Sequence, residues 1–199
     1  SGNIQAIGSV TDTIVFIGVD PSPSNYGGGI TLQSNSTGSS FRFCKFQKMG
    51  ETAGGVSAPL KFTGGDNVYV ERSRIVNAEA YGIWLPSTAL ASDNVVIDSC
   101  RIEQCGNRGL YWELPTIGLQ VSRTVFSNNG SENADVHIRS VGGFQNNTLP
   151  RIAITGTVDA NTTLPGGAMT DGSRFYSSEI SINTGTTLSV QPGVEVQLA

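Results

Sequence analysis

The sequence predicts an all-β chain wound as a single-stranded solenoid, a right-handed parallel β-helix. Three observations predict it. The composition is poor in charge and rich in turn formers, a hexapeptide recurs four times at near-constant spacing, and each copy is followed by a second short strand.

Composition sets the frame. Only 14% of the 199 residues are charged, while glycine numbers 25 and Ser, Thr and Asn abound. Such a chain suits short strands joined by frequent corners. A net charge of -4 and a pI near 4.9 argue against nucleic acid, whose phosphates call for a basic face. They argue equally against a polybasic membrane patch, and no stretch approaches the roughly 20 apolar residues of a membrane helix. Neutral polymers, sugars and other proteins remain as partners. The opening residues 1–10 lack the basic and apolar regions of a secretory signal. Cys44, Cys100 and Cys105 form an odd set without a CxxC pair, so neither a disulfide framework nor a zinc site is indicated.

Taken in chain order, residues 1–40 read as one or two irregular coils. Their strands are Ile4–Ile7, Thr13–Ile17 and Gly29–Leu32, with a Pro- and Gly-bearing loop over Val19–Gly28. Residues 41–140 hold the regular coils. The hexapeptides start at Phe41, Val70, Ile97 and Val121, spaced 29, 27 and 24 residues apart. Each has a large apolar residue first and sixth and a small one fourth: Cys44, Ser73, Cys100 and Thr124. No 3.6-residue period runs through them, which excludes helical repeats. Second strands follow at Leu60–Phe62, Ile83–Leu85, Leu110–Trp112 and Val136–Ile138. The step into the strand is eight residues from Ile75 and from Ile102, ten from Phe126, and fourteen from Phe46, where Gly50–Ala58 reads as an insertion.

One coil cannot bury its own apolar side chains, so stacking must align Val70, Ile97 and Val121 in an interior ladder, with strands about 4.8 Å apart. The fourth-position residues should then form an inner stack, which accounts for Cys44 and Cys100 as small buried groups. Residues 141–199 are less regular: one strand at Arg151–Ile154, a loop over Asn161–Gly172, and two or three strands in Glu179–Leu198. All 199 residues read as a single domain of a longer protein.

The coil pattern resembles the right-handed parallel β-helix repeats of bacterial secreted and surface proteins, including pectate-lyase-like enzymes and adhesins. That resemblance covers about Ile4 to Ile138 and is specific for fold, not for function. The stretch Gly185–Leu198 resembles a segment that usually opens such domains, and a stretch like Ser1–Gly8 usually follows it. The tail thus looks like the predecessor of the head. This implies either one period of an array or a fragment whose tail begins another unit, and in both cases end-to-end self-stacking. The implied setting is extracellular or the cell surface.

Alternation puts the middle residues of the second strands outward. The expected column is Lys61, Trp84, Tyr111 and His137, a platform for sugar rings if the aromatics are not packed under loops such as Pro86–Asp93 or Pro115–Ile117. Arg42, Glu71, Asp98 and Ser122 share a second position, and Lys45, Arg74, Arg101 and Val125 a third. These charges read as surface ion-pair ladders worth about 0–1 kcal/mol per pair. A lyase or glycoside hydrolase is the alternative, with Glu71 and Asp98 holding Ca2+ and Arg101 serving as base. Against it, no Asp-Asp pair occurs and His137 has neither glycine neighbours nor a partner carboxylate beyond Asp135. Sequons begin at Asn35, Asn129, Asn146 and Asn161, and no outward Thr-x-Thr ladder of an ice-binding solenoid recurs. The expected function is a non-catalytic structural or carbohydrate-binding, adhesive domain with a glycan partner and no cofactor.

Overall fold

Each recurring hexapeptide is two strands with a corner at its third residue. The computed structural model of the chain describes residues 2–19, 26–52, 55 and 57–199. The first coil comprises β1 (Gln5–Ile7), β2 (Ile14–Ile17) and β3 (Ile30–Gln33). Next come β4 (Ser40–Arg42), β5 (Cys44–Gln47) and β6 (Leu60–Thr63), then β7 (Tyr69–Glu71), β8 (Arg74–Val76) and β9 (Ile83–Leu85). Two more regular coils follow, β10 (Val96–Asp98), β11 (Arg101–Glu103) and β12 (Leu110–Trp112), and β13 (Gln120–Ser122), β14 (Val125–Ser127) and β15 (Ala134–His137).

Beyond them a short 3-10 helix, Ile138–Gly143, leads into β16 (Phe144–Gln145), β17 (Ile152–Thr155), β18 (Thr157–Val158) and β19 (Thr162–Leu164). The chain closes with β20 (Ser173–Ser177), β21 (Ser181–Ile182), β22 (Leu188–Val190) and β23 (Val194–Leu198). Three parallel sheets result. The first runs β1-β4-β7-β10-β13-β16, the second β2-β5-β8-β11-β14, and the third β3-β6-β9-β12-β15-β17-β20-β23. Strand pairs β18–β21 and β19–β22 complete the last turns.

The corner between the first and second sheets is made by Phe43, Arg72, Ser99 and Arg123, with φ of 52, 47, 54 and 48°. A side-chain-bearing residue in this left-handed region costs about 1–2 kcal/mol. Stacking compensates. Each corner N–H still donates to the coil above, Phe43 to the Glu71 carbonyl at 3.2 Å, Arg72 to Asp98 at 2.9 Å, Ser99 to Ser122 at 3.0 Å and Arg123 to Gln145 at 3.1 Å. Directly behind the corner sits the expected inner stack. Cys44, Ser73, Cys100 and Thr124 are all buried, and they are bonded to backbone as well as packed. Ser73 Oγ accepts the Cys44 N–H at 3.0 Å, Thr124 Oγ1 accepts the Cys100 N–H at 3.3 Å, and Asn147 Oδ1 accepts the Thr124 N–H at 3.0 Å. Asn147 extends the stack one coil past the recognisable repeats, and its Nδ2 donates to the Val121 and Ala168 carbonyls at 2.7 and 3.1 Å.

The interior ladder follows the expected register. Phe41 pairs with Val70, Val70 with Ile97 and Ile97 with Val121, and the structure adds Ala6 below and Phe144 above. Phe46, Ile75, Ile102 and Phe126 line the second sheet in the same way. Each such rung contributes roughly 1.5–3 kcal/mol through burial. The described residues before Ser40 hold the three strands of one coil, and Ser40 already opens the next. The region 161–172, expected as a loop, contains β19, because Thr162 and Leu164 turn inward and are buried. Residues 20–25 of the first expected loop, residues 53, 54 and 56 of the insertion, and Ser1 lie outside the described residues. Among the described residues no helix is long and apolar enough to cross a membrane.

Asn147 is fully buried, so Asn147→Leu keeps its bulk but leaves the Thr124 N–H without an acceptor. Each orphaned group costs about 1–3 kcal/mol. Urea unfolding of this variant should show a loss of roughly 2–5 kcal/mol, and a change under about 0.5 kcal/mol would contradict the role of the stack.

Candidate functional site

Period-2 alternation in the third sheet sends Ile83, Leu85, Leu110 and Trp112 inward, where all four are buried, and leaves Trp84 and Tyr111 outward and partly exposed. The expected column holds from Lys61 to Trp84 to Tyr111, which are successive register partners. It then departs from expectation. Tyr111 pairs with Asp135, and His137 lies two residues further on, opposite Thr155. The physical reason is that Ala134, not Val136, occupies the rung facing Leu110. From Phe126 to Ala134 is the same eight-residue step seen in the two preceding coils, and alanine's weak apolar signal hid it.

His137 consequently belongs to a different local structure. It caps the 3-10 helix, its Nδ1 accepting the Arg139 N–H at 3.3 Å, and its ring lies over Gly156, where a β-carbon would come within 2.3 Å of Nε2. Burial, with Arg139 nearby, holds its imidazole below the ordinary histidine value.

A parallel column stands three residues upstream, at Tyr81, Arg108 and Glu132. Its alignment is fixed by the Gly82 N–H to Arg108 carbonyl bond at 3.0 Å and the Gly109 N–H to Glu132 carbonyl bond at 3.3 Å. Sequence reasoning missed it because these residues lie in corners, although their constant offset from Trp84, Tyr111 and Asp135 was a usable signal. The two columns interlock. Tyr81 lies 5.2 Å from Trp84 and 5.0 Å from Tyr111, ring centroid to centroid, bridging the two coils. Lys61 Nζ sits 4.6 Å from the Trp84 ring and donates to the Gly55 carbonyl at 2.7 Å. The Arg108 guanidinium lies 4.3 Å from the Tyr111 ring, and its Nε is 2.8 Å from Asp135 Oδ2. Trp84 Nε1 donates to Glu113 at 2.9 Å. Burial and the Glu113 charge push the Tyr111 phenol up to about 12, so it stays a neutral donor. Neither expected loop covers this cluster in full. Pro115–Ile117 serves the inward Trp112, whose Nε1 donates to Thr116 at 2.7 Å.

The alternative set is separated by the corner. Glu71 and Asp98 are neighbours on the first sheet, whereas Arg101 lies past the turn at Ser99, on the second. Glu103, buried two residues beyond the Arg101 column, takes both Arg74 and Arg101, the latter at 2.6 Å. Burial alone would raise the Glu103 carboxyl, but the hydrogen bonds from Arg101 and Arg74 outweigh it and hold the carboxyl below its usual value. Asp98 is likewise lowered against burial by Ser122 and Arg123, with Arg123 at 2.6 Å. The ion pairs thus differ from the expected ladder: Arg74 and Arg101 pair with Glu103, and Asp98 pairs with the corner residue Arg123, whereas Glu71 and Lys45 take no part in these pairs. Among the described residues, no three His, Cys, Asp or Glu side chains gather as metal ligands.

In comparisons with known proteins, the family model described as "Right handed beta helix region" matches residues 19–149. Neither the curated proteins nor the solved structures returned a match.

The three thiols face inward. Cys44 and Cys100 donate to interior carbonyls of Ala6 and Val70, and burial pushes Cys100 and Cys105 up to about 12. The native protein at pH 8 should therefore leave all three cysteines unreacted with Ellman's reagent, with three equivalents released in guanidinium. A native titre near three would contradict this placement.

Proposed function

The chain belongs to the right-handed β-helix family, and from that premise we propose that its third sheet is a carbohydrate-binding face on a non-catalytic, adhesive repeat domain. An extracellular or cell-surface setting is part of the same reading. The observation that carries it is the Tyr81–Trp84–Tyr111 cluster, three partly exposed aromatics in which Tyr81 lies about 5 Å from each of the other two, edged by Lys61, Arg108 and Glu113. Coils repeat at about 4.8 Å, so successive outward positions fall at a spacing comparable with the rings of an extended sugar chain. Aromatic faces supply stacking while fixed cations and carboxylates supply hydrogen bonds, the combination that polar, ring-shaped ligands require. The paired state of Asp98 and Glu103 with their arginines favours binding over catalysis, since both carboxylates and Arg101 are committed to structural ion pairs.

Self-stacking is supported by the last coil, where Val190 and Leu198 continue the rungs of the buried Leu164 and Ser177 yet are themselves at least half exposed. Covering such open rungs drives association. Sedimentation velocity should then show a concentration-dependent increase in mass that is lost in Val190→Lys; a single species at all concentrations would refute stacking.

A glycan array comparing the native chain with Trp84→Ala tests the platform. The expected result is a specific glycan signal that falls roughly tenfold or more in the variant. Equal signals, or none from either protein, would remove the proposal.

A further inference from the structure

The third sheet changes character where the aromatic column ends. After Tyr111 and Asp135 the next outward residue is Ala153, followed by Tyr176. Ile152 and Ile154 on either side of Ala153 point into the core, whereas Ala153 itself stands outside the apolar cluster. A methyl group between larger neighbours leaves a hollow of about 420 Å³, bordered by Arg108, Glu132, Asp135, Tyr176 and Glu179. That volume lies within the range of small-molecule sites. A hollow of similar size, about 440 Å³, lies by the first sheet, but its lining, which includes Gln120, Ser122 and Gln145, carries no ionisable group.

Asp135 sets the first hollow apart. The residue is only 4% exposed, its Oδ2 faces Arg108, and its Oδ1 takes no hydrogen bond from the protein. A buried carboxylate oxygen without a donor is costly, and burial indeed holds this carboxyl above the ordinary aspartate value despite Arg108. With its pKa raised, Asp135 withdraws stability as pH climbs from the ordinary aspartate value through the folded one. A group that costs the fold stability and borders an open hollow is one that a ligand completes.

We propose that this hollow is a subsite for one ring of a neutral, hydroxyl-bearing saccharide, whose hydroxyl donates to Asp135 Oδ1 while the ring lies beside Tyr176. The inference rests on the glycan-binding reading of the platform and adds an anchoring point and a charge class. The charge class follows from the ion pairs. Arg108 is engaged by Asp135, and Arg151 is engaged by Glu132 at 2.8 Å while stacking 4.2 Å from the Tyr176 ring. Both cations already sit in ion pairs, and Glu132, Asp135 and Glu179 line the hollow against Arg108 alone, so a uronate carboxylate meets net repulsion. A hydroxyl donor meets an unsatisfied acceptor, and a charge-assisted bond of this type is about twice as strong as a neutral one.

Calorimetric titration of the full chain with cellotetraose, maltotetraose, mannotetraose, galactotetraose and tetragalacturonate tests this. At least one neutral tetrasaccharide should bind, and tetragalacturonate should bind at least tenfold more weakly. Ala153→Leu, which fills the hollow, should lower affinity more than tenfold, and the isosteric Asp135→Asn about fivefold or more, with folding of both verified by circular dichroism. Wild-type affinity in both folded variants, alongside loss in Trp84→Ala, would overturn the subsite and leave the platform standing. Preference for tetragalacturonate would overturn the neutral class. Failure of all five sugars to bind the native chain would overturn the subsite together with the platform.

Discussion

The structure depends on turning a strand through a sharp corner without losing its hydrogen bonds to the coils on either side. At Phe43, Arg72, Ser99 and Arg123 the backbone enters the left-handed region that glycine would occupy at lower cost. What holds it there is cooperative. The corner N–H bonds to the next coil, and a small polar or thiol side chain immediately behind it bonds backbone that the turn would otherwise orphan. No single corner is stable alone; each is imposed by its neighbours, which is the nearest-neighbour logic of a solenoid. Everything else follows from that registry, including the interior ladder and the outward columns.

The same registry explains why the aromatic face and the ion-pair faces stay distinct. On the first and second sheets Glu103 and Asp98 are paired with arginines. The third sheet carries the aromatics, and there the cations lie against rings as well as carboxylates. Three faces built from one repeat thus carry two chemistries, one of carboxylate–arginine pairs and one in which aromatic rings share the cations.

Much of this was legible in the sequence, and the exceptions have physical causes. Large apolar residues at the first and sixth positions announce buried rungs, and Asn or Gly marks other corners, as at Asn67, Asn94, Gly118, Asn77 and Asn128, all of positive φ. The corner inside the hexapeptide was hidden because Phe, Arg and Ser have no shared preference for that geometry; stacking alone selects it. Ala134 concealed the register of Asp135 because one methyl group reads weakly as a core residue, while Val136 and Ile138 offered a stronger but shifted pattern. Tyr81 and Arg108 escaped notice because strand periodicity says nothing about residues in turns. The candidate site was therefore half readable: Lys61, Trp84 and Tyr111 came from alternation, and the groups that surround them came only from the stacked coordinates.

Arg108 deserves a last consequence. Its guanidinium rests on Tyr111 and against Asp135 at once, so the aromatic cluster and the hollow share one side chain. Two sites that share a group are thermodynamically linked: whatever draws Arg108 toward one partner changes the free energy available at the other, reciprocally and by the same factor. On the proposed reading, occupancy along this sheet is a collective variable, and an extended ligand would be read as a whole length of chain, with neighbouring coils in communication through a single arginine.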